Sequence, residues 1–229
     1  MKVQYKILIV AAALIAVRFA VVTDYKDLKD TPDQIFQQTQ ELLKTADDLA
    51  DKKDFQKAQD TYTKALELQR DKENSASALI LRKMGSMYLE KGKKEKAKLD
   101  LIRAESMFQK ALGIDAKIDD KNQMIQDYSK LALTYASLGN EVKFRDYLVA
   151  QIPLNTALGQ TSLNFTVYVP LAALYTLQGD KVTGCKLLLS ARTELTKPEA
   201  VAVAKQYGLD ARKELIDAER QIKELKCTS

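Results

Sequence analysis

From residue 31 onward, apolar side chains recur three and four positions apart, the period of an α-helix with one buried face. The opening stripe is Ile35, Leu42, Leu43, Ala46 and Leu49. A nine-residue phrase then comes three times. It reads MGSMYLEKG from Met84 to Gly92, LALTYASLG from Leu131 to Gly139 and LAALYTLQG from Leu171 to Gly179, with starts 47 and then 40 residues apart. Each copy has a large apolar residue, a Gly or Ala, a Tyr three positions on and a Gly four positions after the Tyr. A small residue lets a neighbouring helix approach, and the Tyr shares its face. The closing glycine suits the left-handed residue that ends a helix.

The elements follow in order. Thr31, Pro32 and Gln34 read as a helix start with a capping box. That helix turns at Lys52-Lys53-Asp54, where no glycine is present, into a second helix with Ala58, Tyr62, Ala65 and Leu68. A second pair starts near Ser75, carries Leu81, Met84, Gly85 and Tyr88, and turns at Gly92. Its second helix repeats one spacing twice, Ala97, Leu101, Ala104 and Ala104, Phe108, Ala111, which predicts a long helix with a seven-residue insertion on an unchanged face. A third pair runs from about residue 122 through Phe144 and Leu148, with Pro153 ending it and residues 153–164 reading as a loop. The fourth has Pro170 in its first helix, as a kink or as the true start, and Gly184, Leu188 and Ala191 in its second. Thr196 to Glu199 reads as another capping box before one polar helix that reaches about Lys226.

The phrase resembles the first helix and turn of a tetratricopeptide repeat. The runs Ala58, Tyr62, Ala65 and Ala104, Phe108, Ala111 resemble its second helix, with Gly184, Leu188, Ala191 as a degenerate copy. The resemblance implies an all-α fold: an α-solenoid of about four repeats over residues 31–196, closed by a C-terminal capping helix and tail over 197–229. It implies binding in a concave groove rather than a particular ligand. By position, the first helices place Leu43 and Asp47, Arg82 and Ser86, Gln126, Ser129 and Leu133, and Val169 and Ala173 along that groove, with Asp51, Glu90 and Leu177 beside them. Family members that clamp a terminal carboxylate use Lys and Asn where this chain has Leu43 and Asp47, so the expected occupant is an apolar peptide or a partner helix.

Residues 1–23, MKVQYKILIVAAALIAVRFAVVT, are apolar behind Lys2 and Lys6. They admit a cleaved signal peptide, an uncleaved anchor with Arg18 at the surface, or a buried first helix. The first two put the domain outside the cytoplasm, which in a bacterial cell means the inner membrane or periplasm. Residues 24–30 read as a charged linker.

Charge changes little. The chain is formally +5, and three of the positives, Lys2, Lys6 and Arg18, precede the first acid, Asp24. No footprint for nucleic acid stands out. With no histidine, imidazole chemistry and His-based metal sites are excluded. Cys185 and Cys227 are too few for a disulfide framework. Cys185 is expected as a small buried thiol, and its pairing with Cys227 would need the tail to fold back. Tyr62, Tyr88, Tyr135 and Tyr175 read as packing residues, and the adjacent carboxylates Asp47/Asp48 and Asp119/Asp120 as solvated surface. The expectation is therefore a non-catalytic scaffold with no cofactor, or alternatively a self-assembling structural protein.

Overall fold

The computed structural model describes residues 33–69 and 73–228. The expected signal or anchor (1–23), the linker (24–30) and the Thr31 cap lie outside them. Every regular element among the described residues is helical, and they form two compact units that divide after Leu138.

The first unit holds α1 (Asp33–Asp51), α2 (Phe55–Leu68), α3 (Ser75–Glu95), α4 (Lys98–Lys117) and α5 (Lys121–Leu138). Neighbours pack in sequence: α1 on α2, α2 on α3, α3 on α4 and α4 on α5, with lighter contacts from α1 to α3 and from α3 to α5. Leu43, Ala46, Ala58, Tyr62 and Ala65 fill the α1–α2 contact, all essentially closed to solvent. Ala78, Leu81, Ala111 and Ile114 form a cluster between α3 and α4, with Leu66 and Met107 against it.

Gly85 shows why the phrase needs a small residue. A Cβ built there would lie 2.7 Å from the ring of Phe108 on α4. The second phrase glycine behaves differently from the expectation. α3 runs past Gly92 to Glu95, and Lys96 takes the left-handed conformation at φ 54°, its N–H donating to the Gly92 carbonyl. Gly92 instead admits Leu101, whose side chain would lie 2.8 Å from an added Cβ. The turn therefore falls at Lys96-Ala97 because the glycine is used for close approach rather than for its φ. In the glycine-less first turn Lys53 takes φ 65° itself. The other two phrase glycines do end their helices, Gly139 at φ 73° and Gly179 at φ 90°. The polar residue after each caps the next helix: Asn140 accepts from the Lys143 N–H and Asp180 from the Thr183 N–H.

The second unit holds α6 (Glu141–Val149), α7 (Gln151–Ala157), a 3-10 turn (Thr161–Asn164), α8 (Phe165–Leu177), α9 (Lys181–Leu195), α10 (Ala200–Gln206) and α11 (Ala211–Glu224). α8 packs on α9, and α11 on α9 and α10. Four expectations change here. Residues 153–164 are not an open loop: Pro153 sits in the first turn of α7, where a missing N–H costs nothing. Pro170 lies inside α8, which starts five residues earlier, so it does not mark the helix start. The C-terminal helix is two helices: α10 breaks at Gly208, φ 67°, and Asp210 caps α11 by accepting from the Arg212 and Lys213 N–H groups. Thr196 does not cap α10, because its hydroxyl donates to the Thr193 carbonyl behind it. Leu163, Phe165, Val169, Ala191, Leu195, Ala204, Leu209, Ala211 and Ala218 make the core of this unit.

Candidate functional site

The residues expected along the groove are mostly enclosed. Leu43, Arg82, Gln126, Ser129, Leu133, Val169 and Ala173 are all buried. Asp47 and Ser86 are half-buried, and Glu90 is exposed. Leu43 and Leu133 are core side chains, and Val169 belongs to the core of the second unit. The Ser129 hydroxyl is spent on the Ile125 carbonyl at 3.0 Å. Asp47 accepts from the Tyr62 hydroxyl at 2.5 Å and from Lys83 Nζ at 2.9 Å. The two adjacent-carboxylate pairs are likewise engaged in part: Asp120 caps α5 by accepting from the Gln123 N–H.

Arg82 is the largest departure from expectation. The residue is 4% exposed, and its guanidinium is held between two carboxylates on different helices. Nη2 donates to Asp115 on α4 at 2.5 Å and Nε donates to Asp127 on α5 at 2.8 Å. Burial works against its charge, but Asp127 and Asp115 outweigh it and its pKa is raised above the ordinary value. Burial pushes the Asp115 carboxyl up to about 8 against the pull of Arg82, with Asp127 and Asp120 adding to the rise. Burial raises Asp127 too, opposed by Arg82 and Lys130. The remaining oxygens, Asp115 Oδ1 and Asp127 Oδ2, are buried and receive no donor. Two like charges that share an enclosed site favour one proton on the pair. Chemically this arrangement ties three helices together; it does not present Arg82 to a ligand.

The tyrosines of the repeats also act between helices. Tyr62 on α2 bonds Asp47 on α1, and Tyr135 on α5 bonds Glu105 on α4. Tyr88 on α3 lies under the Arg103 guanidinium of α4 at 5.7 Å, and Arg103 in turn bonds Asp100 at 2.8 Å. In the second unit Tyr175 on α8 interacts with Arg145 on α6. A shallow cleft lined by Lys53, Asp54, Phe55, Gln56, Gln59, Tyr88 and Lys91 opens where the α1–α2 turn meets the end of α3.

Cys185 is not a buried free thiol. It is half-exposed on α9 and forms a disulfide with Cys227, just past α11, closing a loop of 42 residues. Among the described residues no group of three or more Cys, Asp or Glu is placed to hold a metal ion. Among them, too, no helix is long and apolar enough to cross a membrane.

No protein-family model matches the chain, and a search of curated proteins finds no match. The tetratricopeptide likeness rests on the residues quoted above.

Proposed function

We propose that this chain is a non-catalytic scaffold of the tetratricopeptide kind, about four helix-turn-helix repeats stacked as a solenoid, with α11 closing its C-terminal end. It binds a protein or peptide partner and works outside the cytoplasm, carried there or tethered by its N-terminal apolar segment. The observation that supports this reading best is that the repeated residues serve helix-to-helix contact. Gly85 seats Phe108, and Tyr62, Tyr88, Tyr135 and Tyr175 each reach a charged group on a neighbouring helix. A fold built from such repeated contacts leaves its remaining surface for recognition. The disulfide supports the location, since such bonds persist in oxidising compartments.

In this reading the partner meets the expected face where it is open, at Asp47, Ser86 and Glu90. The test is a photo-cross-linker at Ser86 and, as control, at exposed Lys64 on α2. A partner captured from Ser86 and not from Lys64 supports the groove; equal capture from both, or none from Ser86, sinks it. A second reading, self-assembly between protomers, draws on exposed Val142, Val182 and Ile216 in the second unit. Light scattering across concentration separates the two, because a self-assembler grows with concentration and a scaffold alone does not.

A further inference from the structure

In the sequence α4 looks balanced, with Lys98, Arg103, Lys110 and Lys117 against Asp100, Glu105 and Asp115. Folding sorts those charges. Asp100 and Asp115 are buried against cations, and half-buried Glu105 bonds Tyr135. All four cations of α4 stay exposed. At its N-terminal end the asymmetry becomes a patch. α3 closes on Lys91, Lys93 and Lys94, Lys96 makes the turn, and Lys98 opens α4. The cleft residues place the α1–α2 turn beside this end, since Lys53 and Lys91 line the same cleft, and exposed Lys52 precedes Lys53. Seven lysines thus gather at one end of the first unit. Its nearby acids are Asp51, Asp54, Glu90, Glu95 and Asp100, of which Asp54 caps α2 and pairs with Lys57 at 2.8 Å and buried Asp100 pairs with Lys91 at 3.3 Å.

Two large apolar side chains stand out of this patch. Leu99 is 60% exposed and Ile102 is 45% exposed, three positions apart on the first turns of α4. Neither belongs to the buried core among the described residues. A basic surface with protruding aliphatic side chains suits a bilayer, with cations at the phosphates and the aliphatic groups at the acyl boundary. We infer that the lysine-rich end of the first unit docks on an anionic phospholipid bilayer, with Leu99 and Ile102 entering it. This contact is separate from any attachment through residues 1–23.

The chain contains no tryptophan, so Leu99→Trp makes a single reporter in the full-length protein. With vesicles of phosphatidylcholine mixed with phosphatidylglycerol, its emission shifts to the blue and brominated acyl chains quench it. With phosphatidylcholine alone it stays in water. Changing Lys93, Lys94, Lys96 and Lys98 to Gln in the same background weakens the anionic-vesicle response several hundredfold, at about fivefold per lysine. Equal emission in the two vesicle types overturns the inference, because attachment through residues 1–23 alone leaves residue 99 wet. So does a response that survives loss of the four lysines. Binding to duplex DNA as tight as to anionic vesicles overturns it as well, since the patch is then a general polyanion site.

Discussion

The two units solve the same problem, holding neighbouring helices together, by different means. The first uses large buried side chains, Tyr62 and Phe108 among them, and an enclosed Arg82–Asp115–Asp127 cluster that spans three helices. The second mixes large and small buried residues, Leu163, Phe165 and Leu195 with Ala191, Ala204, Ala211 and Ala218, and adds a covalent bond between α9 and the chain just past the polar α11. A buried ion cluster needs every partner in place before it stops costing energy. A disulfide acts mainly on the unfolded chain and asks less of the packing around it. The second unit, with its short and interrupted helices, is where such a staple is most useful.

The comparison breaks most visibly at Arg82. Arg82→Glu puts a third carboxylate among two, and should destabilise the first unit by about 3–5 kcal/mol, read as faster amide exchange in α3, α4 and α5 with the second unit unchanged. A solvent-facing groove residue would carry no such cost. The same cluster sets a pH dependence. Asp115 binds its proton more tightly folded than unfolded, with a folded pKa of about 8 against an ordinary 3.8. Its contribution is therefore full below the unfolded value and is lost as pH rises through the window from about 4 to 8. Denaturant titrations of the first unit should show stability falling across that window, and Asp115→Asn should flatten the slope.

Cys227→Ser tests the other side. Opening the 42-residue loop should cost the second unit about 2–4 kcal/mol, with α11 losing exchange protection first. Equal protection of α11 in parent and variant would mean that packing alone holds it. Gly85→Leu pushes into the Phe108 ring and should cost about 1–3 kcal/mol or more in the thermal transition. The smallest change is a gain: Lys53→Gly relieves a left-handed lysine and should stabilise the first unit by about 1 kcal/mol or less.

The helices, their pairing in the first unit and the contact at Gly85 were legible because each depends on local spacing. The enclosure of Arg82 was not, since an arginine on a helix reads as surface. A signal was present nonetheless. Asp115 continues the core stripe of α4 (Leu101, Ala104, Phe108, Ala111), and Asp127 stands four residues before buried Leu131 on α5. A carboxylate on an apolar stripe needs a cation, and Arg82 is the one that reaches both. The disulfide stayed open because it depends on where α10 and α11 return the chain. The turn after α3 was misplaced because one residue type, glycine, serves both close approach and left-handed backbone. The lysine-rich end escaped because a running count of charge cannot see which acids fold inward.

The position of Arg82 also limits how the first unit can be taken apart. In many helical arrays a repeat can be deleted and the remainder still folds, because each hairpin answers only to its neighbours. Here the guanidinium on α3 is shared between α4 of its own hairpin and α5 of the next. Cutting the chain after α4 would leave Arg82 and Asp115 as a pair with one side open, and cutting between α3 and α4 would strand two carboxylates. The smallest piece that keeps the cluster whole is α3 to α5, which is one and a half hairpins. The pattern repeats by the hairpin, but the indivisible block is set by the charge.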